Sequence, residues 1–212
     1  MPLTSKHKMK DISVHALPVM EHYYTIQGEG INTGKAAYFI RLGGCDVGCV
    51  WCDVKESWDA EKHPVLAVSL LVEMALQHPA RIVVITGGEP LMYNLDNLCE
   101  QLKLNGFSTC VETSGAYNLS GQWDWVCVSP KKFKEPVSSV LKQANELKVI
   151  IFNKSDFAWA EQHAALVNEK CKLLLQPEHS SFDKVIPLIV DYVKLNPQWQ
   201  ISLQTHKVIN VP

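Results

Sequence analysis

The feature that most constrains this chain is the regular return of strand-length apolar runs, at residues 38–42, 82–85, 108–112, 125–128, 148–151, 173–175 and 201–203, with helical spacing between several of them. Short apolar runs bounded by turn residues read as strands. In the intervening sequence Leu70, Leu71 and Met74 share one face of a helix expected over 67–77. Leu95, Leu98 and Leu102 do the same over 95–105, where Gly106 supplies the stop. Further helices are expected over 182–195 after Ser181, with a kink or later start at Pro187, and over 156–168 after Ser155. Strands alternating with helices imply parallel βαβ units, whose ligand sites lie at the carboxyl ends of the strands. A closed eightfold barrel takes about 250 residues. With 212 residues, the chain is expected to be α/β, an open or incomplete barrel of roughly six strands.

No internal repeat, low-complexity stretch or Gly/Ser/Pro linker divides the chain, so one domain is expected. Its 20 Lys+Arg and 22 Asp+Glu give a formal charge of −2, which provides no overall attraction to nucleic acid or an anionic membrane. Lys6, Lys8 and Lys10 read as a solvated tail. No apolar run has the length of a membrane span and the first residues lack a signal-peptide core, so a cytoplasmic location is expected. The 7 cysteines, an odd number, then read as thiols.

Three of them, Cys45, Cys49 and Cys52, are spaced C-x3-C-x2-C in the loop CDVGCVWC. A four-iron cluster ordinarily takes four thiolates, and Cys99, Cys110, Cys127 and Cys171 lie in helical or strand-like surroundings that do not offer the fourth. One iron is left open to a small molecule. S-adenosylmethionine (SAM) needs such an iron for its amino and carboxylate groups. The spacing resembles that of the radical-SAM superfamily, in which an aromatic residue such as Trp51 commonly precedes the third cysteine, against adenine. Gly48 gives backbone freedom where the loop turns around a cube. A zinc site is the alternative on spacing alone, although such sites usually bring a second C-x2-C or H-x3-H pair, which this chain lacks.

Directly after the run at 81–85 come Thr86, Gly87, Gly88, Glu89 and Pro90. Paired glycines at a strand end let a ligand approach the backbone. Beside the cysteine loop, TGGEP resembles the GGE motif with which radical-SAM enzymes hold the SAM amino group. Other strand ends carry Glu112-Thr113-Ser114-Gly115, Ser129-Pro130-Lys131 and Gln176-Pro177-Glu178-His179. Each alone reads as a solvated loop. On one shared edge they make a polar rim for SAM and a substrate.

The set TIQGEG, FIRLGGCDVGCVWCD, VVITGGEP, ETSG, VSPK and QTHK resembles the 7-carboxy-7-deazaguanine synthase family over residues 18–212. The resemblance implies an incomplete (β/α)6-type radical-SAM partial barrel, reduced in helix content. It implies a carbon–nitrogen lyase that converts 6-carboxy-5,6,7,8-tetrahydropterin to 7-carboxy-7-deazaguanine with loss of ammonia, in queuosine and 7-deazapurine biosynthesis. A [4Fe-4S] cluster would sit on Cys45, Cys49 and Cys52. SAM would meet Trp51, Gly88, Glu89, Ser129, Pro130, Lys131, Gln176, Pro177, Glu178 and His179. The pterin would meet Ile26, Gln27, Gly28, Arg41, Thr86, His206 and Pro212, the last two on a tail that closes over it and offers its terminal carboxylate. Arg41 suits a substrate carboxylate because its planar fork binds both oxygens. The resemblance also implies a flavodoxin- or ferredoxin-type reductant, a homodimer and a magnesium ion, and it implies no conventional acid–base residue.

The family places a magnesium-ligating threonine where this chain has Val54. Valine brings no oxygen to an ion that takes hard oxygen ligands. Asp53 and Ser57 are the neighbouring substitutes. Residues 1–17 fall outside the resemblance and read as an N-terminal extension to a core domain at 18–212. Two other readings remain: a different radical-SAM enzyme, such as a glycyl-radical activating enzyme, and a non-enzymatic iron–sulfur or zinc protein.

Overall fold

The computed structural model describes residues 15–50 and 52–212. Trp51, the Lys6, Lys8 and Lys10 stretch and most of the expected extension therefore lie outside the described residues. The strands are β1 (Ala16–Ile26), β2 (Ala36–Leu42), β3 (Val65–Ala67), β4 (Ile82–Gly87), β5 (Ser108–Thr113), β6 (Trp125–Val128), β7 (Glu146–Ile151), β8 (Lys172–Pro177) and β9 (Trp199–Ile201). They form one sheet of order β3-β1-β2-β4-β5-β6-β7-β8-β9. From β2 to β9 all neighbours are parallel, whereas β1 is antiparallel to both β2 and β3. The edge strands β3 and β9 do not pair, so the barrel is partial.

Six α-helices accompany the sheet among the described residues: α1 (Val68–Leu76), α2 (Asp96–Leu104), α3 (Ser138–Gln143), α4 (Ser155–Ala164), α5 (Phe182–Leu195) and α6 (Thr205–Ile209). The connection from β5 to β6 has none, which is where helix content is reduced. None of the described helices is long and apolar enough to cross a membrane.

Strand alternation divides the sheet into two chemistries. Tyr38, Ile40, Leu42, Val83, Ile85, Val111, Leu147, Val149 and Ile151 pack into one core with Leu71, Leu98, Leu102, Val140 and Ile189 from the helices. Full burial of Leu98 and Leu102 contributes roughly 2 kcal/mol each. On the opposite face a small apolar base of Ala37, Phe39, Val84 and Cys110 lies below Arg41, Thr86, Glu112 and Lys148.

α1, α2 and α5 match the sequence reading within a residue or so. α4 ends at Ala164, short of 168. α5 runs through Pro187 from Phe182; the proline lies inside the helix, where its missing N–H removes one bond, to the Asp183 carbonyl. The last strand begins at buried Trp199 and meets the expected 201–203 only at Ile201, and Leu203 is exposed. The sheet also begins earlier than the boundary after residue 17: Ala16 and Leu17 pair with Ala67 and Leu66, and Leu17 is fully buried.

Candidate active site

A cavity of about 310 Å³ opens at the carboxyl ends of the parallel strands. The loop leaving β2 forms one side of it. The Gly88 N–H donates to the Leu42 carbonyl at 3.0 Å and the Glu89 N–H to that of Gly44 at 2.9 Å, so the TGGEP turn of β4 is laced to the start of the cysteine loop. Gly44 and Cys45 then donate to the carbonyls of Ser57 and Trp58 at 2.6 and 3.1 Å, which returns the loop upon itself. A Cβ on Gly88 would stand 2.2 Å from the Gly44 carbonyl oxygen and 2.8 Å from Cys45 Cβ, so only glycine admits this approach. Gly48 adopts φ of +76°, the left-handed turn expected between the first two cysteines.

Cys45, Cys49 and Cys52 are free thiols and all line the cavity. Burial raises Cys49 to about 11 against the pull of Lys131, and the neighbouring Cys52 and Cys45 add to the rise. A bound metal would displace the Cys49 proton and stabilise its thiolate. No three His, Cys, Asp or Glu groups among the described residues converge on a single-ion site. Three thiols on one loop, all lining one cavity, would hold a cluster that lacks one thiolate.

Glu89 is 1% exposed, and its carboxylate is fully engaged: Oε1 accepts from the Leu91 N–H at 3.0 Å and Thr113 Oγ1 at 2.6 Å, and Oε2 from the Ser114 N–H at 2.8 Å and the Ser114 hydroxyl. The side chain thus locks the end of β5 to the glycine turn. Glu178 behaves alike, accepting from the Ser180 and Ser181 N–H groups at 3.1 and 3.0 Å. Ser129, Lys131, Gln176, Pro177 and His179 line the same side, with Lys131 Nζ donating to Ser129 Oγ at 2.6 Å. Pro130 is buried and does not face the cavity.

The other side gathers Ile26, Gln27, Gly28, Arg41, Thr86, His206 and Pro212. Arg41 Nε donates to Glu21 Oε1 at 2.6 Å and Nη2 to the Tyr23 hydroxyl at 3.3 Å, which fixes the guanidinium plane and leaves Nη1 and the second Nη2 proton as a fork for a ligand. The His206 ring lies against Gly28, where a Cβ would stand 2.3 Å from Nδ1, and burial lowers its pKa. Thr25 Oγ1 donates to the Pro212 carbonyl at 3.3 Å. Val54 also lines the cavity. Its own carbonyl accepts from the Ser57 N–H and hydroxyl at 3.1 and 2.7 Å, while Asp53 faces Lys207 Nζ at 3.3 Å.

Sequence reasoning missed Tyr23, Glu29 and Lys148. Lys148 lies in the core-like run at 148–151, yet its side chain is 5% exposed with Nζ 2.5 Å from Glu29 Oε2 and 3.5 Å from Glu112 Oε2. The available signal was parity: Lys148 alternates with Leu147 and Val149 and so faces away from the helices.

An open, mostly parallel sheet with three thiols after its first parallel strand and a glycine turn after the next defines a radical-SAM protein, and the Radical SAM superfamily profile matches residues 39–128. Three relatives named 7-carboxy-7-deazaguanine synthase narrow this class. That of Flavobacterium psychrophilum is 55% identical, covering 92% of this chain and 93% of its own. That of Synechocystis is 47% identical with the same coverage, and that of Escherichia coli K12 37% identical over 92% of this chain and 98% of its own. The crystal structure of QueE from Escherichia coli superposes with a TM-score of 0.81 at 34% identity, over 97% of this chain and 100% of that one. The chain belongs to the 7-carboxy-7-deazaguanine synthase family.

Proposed function

We propose that this protein converts 6-carboxy-5,6,7,8-tetrahydropterin to 7-carboxy-7-deazaguanine with loss of ammonia, as a carbon–nitrogen lyase of 7-deazapurine and queuosine biosynthesis. The observation that carries the reading is one cavity holding three free thiols on one side and a fixed guanidinium, Arg41, on the other. When bound, the cluster and SAM supply the one-electron chemistry that removes a hydrogen atom from C6 of the substrate.

The chain's own work is orientation and exclusion of water. Arg41 takes the substrate carboxylate, held in plane by Glu21 and Tyr23. Gln27, Gly28, Thr86 and His206 surround the ring system, with Ile26 and Pro212 closing the apolar and tail sides. Gly88, Ser129, Lys131, Gln176 and His179 support SAM, and Trp51 is proposed against its adenine. A flavodoxin- or ferredoxin-type electron donor, a homodimer and a cytoplasmic location complete the proposal. Val54 brings no side-chain oxygen, the Ser57 hydroxyl is donated to the Val54 carbonyl and Asp53 faces Lys207, so no step runs through a magnesium ion.

The test is anaerobic reconstitution followed by a product assay. Four irons per chain, a spectrum perturbed by SAM and formation of the deazaguanine are expected. A SAM-responsive cluster with no deazaguanine product would instead indicate another radical-SAM activity.

A further inference from the structure

Lys148 is a deeply buried cation on the cavity side of the sheet, 4% exposed, and it takes no part in the proposed chemistry. A buried ion pair is no better for stability than well-packed apolar groups of similar volume, so its value lies in geometry. Three walls of the cavity meet at its ammonium. Glu29, just beyond Gly28, accepts from Nζ through Oε2 at 2.5 Å and from Gln204 Nε2 through Oε1 at 2.9 Å. Glu112, near the end of β5, lies 3.5 Å from Nζ and accepts from Gln27 Nε2 at 2.8 Å through its other oxygen. Gln204 is the residue from which α6 starts. One residue on, the Thr205 N–H donates to the Gly28 carbonyl at 2.8 Å, and the Val211 N–H donates to the His206 carbonyl at 3.1 Å.

We infer that Lys148 is a positioning residue: through Glu29 and Gln204 it fixes the C-terminal segment that carries His206 and Pro212, and through Glu112 it fixes Gln27, next to the Gly28 against which that segment packs. The inference rests on the proposed role of this tail in enclosing the substrate. One cation then holds the tail and the loop after β1 in a fixed relation on the substrate side of the cavity. Lysine suits this use because its three ammonium protons serve separate acceptors.

The experiment compares wild type, Lys148→Met and Gln204→Ala as cluster-loaded enzyme with SAM, by hydrogen exchange of the backbone and by steady-state kinetics. In both variants residues 205–211 should exchange at least about tenfold faster while β4 is unchanged, the KM for the carboxy-tetrahydropterin should rise about tenfold, and iron content and SAM affinity should stay at wild-type values. Gln204→Ala cuts the link at the rim, so the prediction stays testable where Lys148→Met loses its fold. A Gln204→Ala variant with wild-type tail exchange and KM overturns the inference. So does a Lys148→Met variant that loosens β4 as much as the tail. Failure of the proposed activity would show separately, as absence of deazaguanine from the wild-type enzyme, while the exchange comparison would still decide the linkage.

Discussion

At the scale of single residues the site turns on small differences in side-chain atoms. Valine and threonine have almost the same volume, but only threonine offers an oxygen, and the hydroxyl nearest to Val54 is already donated by Ser57 to the Val54 carbonyl at 2.7 Å. Asp53 is turned towards Lys207. With no prepared oxygen set, turnover should change by less than about twofold when magnesium is chelated and then titrated back. Val54→Thr should introduce a response, and a strong magnesium requirement in the wild type would show that substrate oxygens and Asp53 suffice. Arg41 makes the complementary case. Its charge is secure, since Tyr23 and Glu21 outweigh the opposing effect of burial and raise its pKa. What Lys cannot reproduce is the fork. Arg41→Lys should therefore raise the substrate KM by roughly ten- to a hundredfold with little loss of kcat, and binding of an analogue without the carboxylate should be unaffected.

At the scale of elements, β2 and β4 are joined at their ends by the close approach of Gly88 to the cysteine loop. Gly88→Ala places a methyl group where the Gly44 carbonyl and Cys45 Cβ lie within 3 Å, so the loop must move. Iron bound after reconstitution should fall by at least about half while the thermal midpoint moves by only a few degrees, because the helix-side core is untouched. Retention of full iron content would mean that the loop adapts. This junction was legible in the sequence because TGGEP follows an apolar run directly and the cysteine spacing is local. The parallel strands were legible for the same reason: β4 and β8 carry near-continuous apolar residues, as strands buried on both faces do. β1 and β3 were not. The residues of β1, ALPVMEHYYTI, mix polar and apolar types because much of the strand is half-buried, and the three residues of β3 are too short to show a period. Lys148 and Glu29 escaped notice because their partnership spans 119 positions in sequence, and only strand order brings them together. Their recognition needed the register of β7 and the return of the tail beneath the loop after β1.

At the scale of the whole molecule, the open sheet collects several carboxylates around one buried lysine, and this makes stability depend on pH in two opposed ways. Burial raises the Glu29 pKa, but the Lys148 ammonium and hydrogen bonds from Lys148, Gln204 and Gln176 outweigh it and hold the value at about 2, from an ordinary 4.5. The folded state then keeps Glu29 ionised where the unfolded chain takes up a proton. Its contribution is fully present above pH 4.5 and is lost as the pH falls through about 2, on the order of 3 kcal/mol in total. Glu146 runs the other way, because burial raises its pKa despite Lys148. The folded state binds that proton first, so acidification towards pH 4.5 adds stability. Asp46 and Asp124 are lowered by Lys134 and Lys103 against slight burial, but these carboxylates are 47% and 43% exposed and solvent screens their pairs. Urea unfolding across pH should therefore show stability rising slightly on mild acidification and then falling below pH 4.5. Glu29→Gln should flatten the limb between pH 4.5 and 2 and lower stability at neutral pH, whereas Glu146→Gln should remove the rise and leave the fall. An acid limb unchanged in Glu29→Gln would place the titration elsewhere. It would also deprive Lys148 of the charged partner through which it holds the tail.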